Sequence, residues 1–276
     1  MKNCKKILVT GGKGQLASSF SSLFSDDYEI HSFNKQDLDI TNIDNVEKVI
    51  NKVEPDVILN CAAMTDVDLC EINEDGCYEV NFKSINNFKN SFNGLFIQLS
   101  TDYVFNGNSG PYFENDNPNP INIYGRSKLN SEILVNKLFK NSIILRTNIL
   151  FSNKSNASFV SWVLSSLRNK KSISIIDDQF NNPISVNDCS RIIDMLISRK
   201  SNGVFHAGTN KVISRYDFAK IIAVNSNYDC DLIMPISSKE FYSKKNIKAL
   251  RPLNLGLLSK YDFLSNFDLK SSLKDI

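Results

Sequence analysis

The stretch KILVTGGKGQLASSFSSLF, residues 6–24, joins a strand-like run, a glycine cluster and a helix-like run in direct succession. Residues 6–10 are mostly apolar and rich in branched side chains, which favours a short buried strand. Gly11 and Gly12 follow at once, and from Gln15 onward the apolar residues recur at helical spacing. A strand, a glycine turn and a helix in this order predict the first unit of an alternating α/β chain.

The same alternation continues through the first half of the chain. Because parallel neighbouring strands need a long crossover connection, strands that alternate with helices predict a parallel sheet covered on both faces. We therefore predict an α/β fold, a Rossmann-type doubly wound parallel sheet with a smaller C-terminal lobe. The predicted strands are 6–10, 28–33, 55–63, 95–100 and 142–146, and the predicted helices are 15–24, 46–53, 79–92 and 124–138.

The composition argues against several classes of function. The 32 Lys and Arg residues nearly balance the 30 Asp and Glu residues, and like charges form no long block, so neither nucleic acid nor a membrane surface is an expected partner. No apolar run approaches the roughly 18 residues of a spanning helix. Six scattered cysteines without a C-x-x-C pair, and no basic-then-apolar leader before KKILVT, suggest reduced thiols in the cytoplasm. With two histidines and no clustered carboxylates, we expect no metal site.

The glycine turn has the spacing of a dinucleotide-binding motif. Gly11, Gly14 and Ala17 fit a G-x-x-G-x-x-G/A arrangement, which lets backbone amides and a helix N-terminus approach a pyrophosphate. Strand two ends at Asn34 and Lys35, where NAD-selective enzymes usually carry an acidic residue. An amide and a cation suit a 2′-phosphate better, so we predict NADPH as cofactor, with NADH still possible.

The predicted domains follow from this motif and from a change of pattern after residue 151. Helical spacing recurs at 159–168, 188–198 and 215–224, with a strand at 173–176. We predict an NAD(P)-binding Rossmann domain at 1–150 with returning segments at about 173–208. The predicted substrate-binding lobe comprises 151–172 and 209–276.

The pentapeptide YGRSK, residues 124–128, suggests the chemistry. Tyr124 and Lys128 are four residues apart, so they share one face of a helix. With a nicotinamide nearby, the tyrosine can protonate the oxygen of a ketone that receives a hydride, and a neighbouring ammonium is expected to lower its pKa. Thr101 or Ser100, at the end of the fourth predicted strand, can donate a hydrogen bond to the same oxygen.

Nearly the whole chain resembles the extended short-chain dehydrogenase/reductases, and within them the dTDP-4-dehydrorhamnose reductase family. The resemblance is carried by TGGKGQLA, LDIT, PDVILNCAAMTDVDLCE, STDYVFNG, PYFENDNPNPINIYGRSKLNSE, ILRT, DDQFNNP and a late RP pair. It implies a catalytic set of Thr101, Tyr124 and Lys128. It implies cofactor contacts at Gly11, Gly14, Gln15, Leu16, Asp39, Ile40, Cys61, Ala62, Ala63 and Thr65, and substrate contacts at Val67, Asp68, Tyr103, Asn148 and Arg251.

Two positions depart from the family pattern. After ILRT the family usually has a serine and a tryptophan, whereas this chain has Asn148 and Ile149. Leu255 stands where a serine usually follows RP-x-N. Because an indole and a hydroxyl shape a sugar pocket, the substrate is either the rhamnose precursor or another nucleotide-linked keto sugar.

The predicted function is reduction of the 4-keto group of a nucleotide-activated 6-deoxy sugar, in the biosynthesis of surface-polysaccharide sugars. Two alternatives stay open: an NAD-dependent epimerase or dehydratase of the same fold, and a noncatalytic regulatory subunit. The presence of Thr101, Tyr124 and Lys128 together argues against a subunit without catalysis. The sequence leaves the oligomeric state open, with a homodimer as one possibility.

Overall fold

The computed structural model describes residues 4–152, 158–245 and 247–275, in which strands and helices alternate. Its strands are β1 (Lys6–Thr10), β2 (Glu29–Phe33), β3 (Val57–Asn60), β4 (Leu95–Thr101), β5 (Ser142–Thr147), β6 (Leu150–Phe151), β7 (Ile173–Ile176), β8 (Phe180–Asn181), β9 (Ile184–Ser185), β10 (Gly203–Ala207), β11 (Ile213–Ser214) and β12 (Ile233–Ile236). Its α-helices are α1 (Gln15–Leu23), α2 (Ile43–Val53), α3 (Val67–Ile72), α4 (Glu74–Asn81), α5 (Ile123–Leu138), α6 (Phe159–Arg168), α7 (Val186–Ser198), α8 (Arg215–Asn225), α9 (Ser238–Lys245) and α10 (Leu269–Ser272).

Six strands form a central sheet in the order β10-β5-β4-β3-β1-β2. Every neighbouring pair in it is parallel. The predicted doubly wound α/β fold is confirmed. The strand order reverses between β1 and β3, so the loops that leave these two strands diverge and open a crevice at the carboxyl edge of the sheet.

The sheet is covered on both faces because its strands alternate large apolar residues toward each side. Ile7 and Val9 of β1 pack with α1 and α7 on one face. Leu8, between them, packs on the opposite face with α2, α5 and the 3₁₀ helix Lys83–Phe88. Fully burying an aliphatic or aromatic side chain contributes about 1.5–3 kcal/mol, so these two layers hold the strand ends in place at the crevice.

A second, smaller core lies in the C-terminal half. The helices α6, α8 and α10 pack there with β7 and β12, which pair in parallel. Within 173–208, β7 therefore lies in this small sheet, whereas α7 packs on the central sheet and β10 is its edge strand. Residues 1–3, 153–157, 246 and 276 of the predicted domains lie outside the described residues, and the division into domains stays a prediction.

The predicted helix at 79–92 is wrong in its bounds, and α3 was not predicted. Asp66 accepts a hydrogen bond from the Leu69 amide at 2.9 Å and so begins α3. Asn73 accepts one from the Gly76 amide at 3.1 Å and begins α4 well before residue 79. Beyond Asn81 the chain continues as a 3₁₀ helix that ends at residue 88. Side-chain caps, rather than apolar spacing, set these boundaries.

Candidate active site

A ladder of buried polar side chains joins the carboxyl ends of β1 and β3 to the middle of β4. Thr10 Oγ1 donates to Asn60 Oδ1 at 2.6 Å, and Asn60 Nδ2 donates to Gln98 Oε1 at 2.7 Å. The Ala62 amide donates to Thr10 Oγ1 at 3.1 Å. These bonds hold the loop that leaves β3 beside the glycine turn that leaves β1.

The glycine turn is too tightly packed for a side chain at its first position. Gly11 has a φ of 65°, and a Cβ there would lie 2.9 Å from the Ala62 nitrogen. The Gly14 amide donates to the Gly11 carbonyl at 2.8 Å, and the Gly12 amide donates to the Phe33 carbonyl at 2.7 Å. The structure thus brings together Gly11, Gly14 and Ala62, all three assigned to the cofactor by the sequence.

Helix α1 begins directly after this turn. Gly14 occupies its N-cap position and no side chain caps it, so the amides of the first turn are available to an anion. Gln15 Oε1 is buried and has no hydrogen-bond partner among the described residues. Leu16 is 5% exposed and packs in the sheet core, so only its backbone faces the turn. An open helix terminus beside a tight glycine turn fits the pyrophosphate of a dinucleotide.

The residues after β2 are held in a polar turn. Asn34 Oδ1 accepts from the Gln36 amide at 2.8 Å, and its Nδ2 donates to Asp37. Its amide is therefore engaged within the turn, and the neighbouring Lys35 is exposed.

Asp39 and Ile40, the positions assigned to the adenine, lie just beyond that turn. Asp39 Oδ1 accepts from Thr41 Oγ1 at 2.7 Å and from the Thr41 amide at 3.0 Å. These two hydrogen bonds lower the pKa of Asp39. Ile40 is buried in the core of the α2 face. Both residues are fixed in position near the carboxyl end of β2.

The loop after β3 contains Ala62 and three further residues assigned to the cofactor, Cys61, Ala63 and Thr65. Asn81 holds this loop because it accepts from the Met64 amide at 2.8 Å and donates to the Met64 carbonyl at 3.0 Å. Cys61 and Ala63 are half-buried and Thr65 is exposed. Burial raises the pKa of the Cys61 thiol to about 12, so this cysteine is not a nucleophile at neutral pH.

Tyr124 and Lys128 lie in the first two turns of α5, which Asn122 caps by accepting from the Gly125 amide at 2.8 Å. Thr101 ends β4, and its hydroxyl lowers the pKa of the Tyr124 phenol. Lys128 is 2% exposed and lies one turn beyond the tyrosine. The structure therefore brings the three predicted catalytic residues to one place at the carboxyl edge of the sheet.

The protonation of this group differs from the sequence-based expectation. Burial raises the pKa of the Tyr124 phenol, and this effect outweighs the lowering by the Thr101 hydroxyl. Burial also lowers the pKa of Lys128 to about 8, against the opposing effect of the Glu132 carboxylate. The expected lowering of the tyrosine pKa is thus not seen, and the phenol holds its proton at neutral pH, as a general acid must.

Ser100 is engaged in a buried polar network behind the catalytic group. Its hydroxyl donates to Glu132, whose other oxygen accepts from Arg146 Nη2 at 2.7 Å. Arg146 Nη1 lies 3.4 Å from Nε2 of His206. Glu132 and Arg146 form an ion pair in which each side chain is 4% exposed. The network holds α5 against β4 and β5. Because the Ser100 hydroxyl donates its only hydrogen to Glu132, it has none to donate to a substrate.

Of the residues assigned to the substrate, Tyr103 contacts the tyrosine, and Asp68 and Arg251 contact each other. Tyr103 packs edge-on against Tyr124, with ring centroids 5.9 Å apart. Asp68 on α3 binds Arg251 through two hydrogen bonds of 3.0 and 2.8 Å. Val67, at the start of α3, is half-buried.

Asn148, the fifth residue assigned to the substrate, follows β5. Its Nδ2 donates to Asn182 Oδ1 at 2.5 Å, and its Oδ1 is buried with no partner in the described part of the chain. Ile149, beside it, packs against the small core, and Leu255 is fully buried against the loop after β4. Leu255, which replaces the usual serine, is therefore part of the apolar packing. The side-chain oxygen of Asn148 is oriented by the hydrogen bond that the Asn148 amide nitrogen donates to Asn182.

Sequence analysis missed a cavity of about 530 Å³ in the small lobe. Arg215 opens α8 there, its Nε is buried without a partner among the described atoms, and its guanidinium carbon lies 5.9 Å from the Phe159 ring centre. The helix dipole disfavours a cation at the first position of a helix. Arg215 at the start of α8 is therefore the sequence feature that could have indicated this cavity. The cavity is lined by Phe159, Trp162, Lys171, Ser172, Ile173, Ser174, Ile175, Ile176, Arg215, Ile236, Phe241, Lys244 and Lys245.

The residues that the structure describes contain neither a candidate metal site nor a helix fit to span a membrane. Within residues 4–152, 158–245 and 247–275, no group of three or more His, Cys, Asp or Glu side chains is placed to hold a metal ion. Over the same ranges, no helix combines the length and apolar character needed to cross a membrane.

Comparison with known proteins gives a consistent result. Residues 5–271 match the family model described as the RmlD substrate binding domain. The chain is 34% identical to the dTDP-4-dehydrorhamnose reductase of Aggregatibacter actinomycetemcomitans, over 98% of each chain. It is 30% identical to the spore coat polysaccharide biosynthesis protein SpsK of Bacillus subtilis strain 168, over 87% of this chain and 85% of that protein.

The structural comparison agrees with the sequence comparison. The dTDP-4-dehydrorhamnose reductase of Bacillus anthracis strain Ames, solved in complex with NADP, superposes with a TM-score of 0.92 at 31% identity, and the match covers 98% of each chain. The family match, the strand order and the meeting of the glycine turn with Thr101, Tyr124 and Lys128 lead to one assignment. The chain belongs to the RmlD substrate binding domain family.

Proposed function

We propose that this protein is an NADPH-dependent reductase of the 4-keto group of a nucleotide-activated 6-deoxy sugar, dTDP-4-dehydrorhamnose or a related nucleotide-linked keto-hexose. It would serve the biosynthesis of surface-polysaccharide sugars. The observation that carries the proposal is the meeting of Thr101, Tyr124 and Lys128 beside the crevice between β1 and β3. The reductase relatives, which match over nearly the whole chain, support it.

The residues at the crevice fit NADPH. Gly11, Gly14 and the first amides of α1 would hold the pyrophosphate, and the unpartnered Gln15 Oε1 offers an acceptor beside them. Lys35 supplies an exposed cation for the 2′-phosphate, whereas the Asn34 amide is engaged within its turn. A related reductase with bound NADP supports this cofactor, which supplies the hydride when bound.

The chain's own residues would complete the reaction at the sugar oxygen. Reduction of the ketone leaves an alkoxide that needs one proton, and the neutral phenol of Tyr124 is placed to give it. Thr101 would donate a hydrogen bond to the same oxygen; Ser100, which donates to Glu132, is the weaker candidate. Lys128 would hydrogen-bond the cofactor ribose and stabilise the tyrosinate that remains after proton transfer.

The small lobe would hold the nucleotide part of the substrate. Its cavity combines the aromatic rings of Phe159, Trp162 and Phe241 with the cations of Arg215 and Lys245. Rings suit a nucleobase and cations suit a diphosphate. In this proposal residues 1–150, with returning segments at about 173–208, form the cofactor domain, and the remaining C-terminal segments form the substrate lobe.

Two alternatives of different class are weaker. An epimerase or dehydratase with bound NAD would favour an acidic residue at the end of β2, where this chain has Asn34 and Lys35. A regulatory subunit has no need for a buried lysine with a lowered pKa beside a tyrosine and a threonine. A cytoplasmic location and a homodimer are consistent with the proposal, and it involves neither membrane nor nucleic acid.

The experiment is a nicotinamide absorbance assay with a panel of dTDP-, UDP-, GDP- and CDP-linked 4-keto-6-deoxy sugars, each with NADPH and with NADH. We expect oxidation of NADPH with one member and slower oxidation of NADH. Tyr124→Phe should bind NADPH normally and lose at least about 100-fold in kcat.

Two results would count against the reductase. If NADPH binds but no sugar is reduced, the closed-cycle epimerase or the regulatory subunit becomes the better account. If Tyr124→Phe turns over at the wild-type rate, the proposed acid is wrong.

A further inference from the structure

The hydroxyl of Thr101 is engaged by protein groups before any substrate arrives. It donates to Asp102 Oδ1 at 3.0 Å and accepts from the Tyr103 amide at 3.2 Å. A hydroxyl has one hydrogen, so with that hydrogen given to Asp102 the Thr101 side chain cannot donate to a substrate oxygen.

Asp102 itself is a buried carboxyl group without an ion pair among the described residues. It is 3% exposed, and its second oxygen accepts from Asn181 Nδ2 at 2.8 Å. The groups that face it are Arg215 from α8, Tyr103 from its own segment and Tyr124 from α5. Burial raises the pKa of Asp102 to about 7, against the lowering by Thr101, Arg215 and Asn181. Both protonation states are therefore populated in the neutral range.

We propose that Asp102 is a positioning residue whose proton sets the direction of its hydrogen bond with Thr101. This inference rests on the reductase function proposed above. When Asp102 is protonated on Oδ1, it donates to Thr101 Oγ1, while its other oxygen still accepts from Asn181. The two lone pairs of Thr101 are then filled by Tyr103 and Asp102, so its hydrogen turns toward the substrate oxygen.

The two states differ by one proton and no change of fold. The ionised state turns the Thr101 hydroxyl away from the ketone and leaves Tyr124 as the donor. The neutral state adds Thr101 as a second donor to the oxygen that becomes negative during reduction. Turnover should therefore be highest below the pKa of Asp102 and fall, as pH rises through that pKa, to a plateau about 100-fold lower, as expected for the loss of one donor to the developing oxyanion.

Asp102→Asn separates this role from a merely structural one. The amide can donate through Nδ2 to Thr101 and accept through Oδ1 from Asn181, so it copies the neutral state at every pH. We expect this variant to keep turnover near pH 6 and to lose the fall near pH 7, so that it exceeds wild type by about 100-fold at pH 9. Asp75→Asn, at an exposed carboxylate of α4, is the matched control and should keep the wild-type profile.

A second variant tests the same step from the other side. Asn181→Leu removes the amide that stabilises the ionised carboxylate, so the fall in turnover should move to higher pH. The idea is overturned if Asp102→Asn keeps the wild-type fall, if it is inactive at every pH while folded, or if Asn181→Leu leaves the profile unchanged.

A measurement without substrate distinguishes this proposal from the reductase function. The infrared C=O stretch of a protonated carboxyl group, taken as wild type minus Asp102→Asn, should disappear as pH rises through about 7 and should persist to higher pH in Asn181→Leu. Absence of this band at pH 6 would refute the neutral Asp102. Failure of wild type with every sugar would count against the reductase, while the infrared titration still reports on Asp102.

Discussion

Asp68 and Arg251 form a bidentate ion pair between α3 and the segment that follows α9. Arg251 Nη1 donates to Asp68 Oδ1 at 3.0 Å and Nη2 donates to Oδ2 at 2.8 Å. The Ala249 amide adds a hydrogen bond to Oδ1 at 3.1 Å. Because Arg251 lies in the C-terminal part of the chain, the pair connects that part to α3 in the N-terminal half. Both partners are positions that the sequence assigned to the substrate.

The first prediction concerns this pair at low pH. Burial works to raise the pKa of Asp68, but hydrogen bonds from Arg251 and Ala249 prevail and lower it. A carboxylate with a lowered folded pKa stabilises the protein above its unfolded pKa, roughly 4, and loses that contribution as pH falls through the folded value. We therefore expect Asp68→Asn to reduce the free energy of unfolding at pH 7 by about 1 kcal/mol and to have a smaller effect at pH 3.

Denaturant unfolding at the two pH values measures this difference. Glu79→Gln is the control, because its ion pair with Lys83 is between exposed side chains, 50% and 56% accessible, and should contribute little. An equal loss for Asp68→Asn at pH 3 and pH 7 would mean that the carboxylate charge does not stabilise the pair.

The second prediction concerns the buried ammonium of Lys128. Its folded pKa of about 8 lies below the value of an exposed lysine, so the charged form is disfavoured by folding, and stability should rise as pH increases from about 8 toward 10. We expect Lys128→Met to abolish turnover and yet to raise the free energy of unfolding at pH 7, by on the order of 1–3 kcal/mol.

Thermal unfolding and the reductase assay together test this trade-off. Lys137→Met, at an exposed position of the same helix, should change neither property. If Lys128→Met is less stable than wild type at pH 7, the buried ammonium stabilises the folded state and the prediction is wrong.

The third prediction concerns the aromatic core of the α2 face. Phe96 of β4 is fully buried, stacks on Phe139 with centroids 4.4 Å apart and meets Phe88 edge-on at 5.4 Å. Phe96→Ala should lower the free energy of unfolding by about 3–5 kcal/mol, because the cavity it leaves is lined by rigid rings. In Phe113→Ala, where the ring is 44% exposed, the change should stay within about 0.5 kcal/mol. Similar losses in both variants would contradict this assignment of the core.

The fold was predictable because short strands alternate with helices through the first half of the chain. Three of these strands, KILVT, VILN and SIILRT, are buried along nearly their whole length. Strands buried on both faces are typical of a parallel sheet, independently of the sequence of the connecting loops. The helices near residue 70 were not predictable from apolar spacing, since Asp66 and Asn73 determine where they begin. A helix cap is a single polar residue, so it is a weaker sequence signal than a repeated apolar pattern.

The candidate site residues could be proposed from the sequence, but their hydrogen-bond partners could not be predicted from it. Ser100 and Thr101 are adjacent and chemically alike, yet one donates to Glu132 and the other to Asp102. Asn34 is engaged by the turn that it begins. The hydrogen-bond partner of each side chain depends on contacts between distant segments. A sequence pattern therefore identifies candidate residues but not the partners they bind.

The last prediction concerns the cavity of the small lobe, which segments from residue 159 to residue 245 enclose. Arg215 has an unpartnered Nε there, so a diphosphate can take a charge-assisted hydrogen bond that no described residue uses. Arg215→Met should weaken binding of a nucleoside diphosphate by about 10- to 100-fold in calorimetric titration and leave NADPH binding unchanged. Trp162→Ala should weaken it as well, because the indole is 46% exposed on the cavity wall. Lys220→Met, on the outer face of α8, is the control and should bind like wild type. Unchanged nucleotide affinity in both cavity variants would exclude this cavity as the nucleotide site and require the nucleotide to bind elsewhere, with the Asp68–Arg251 pair as the next place to test.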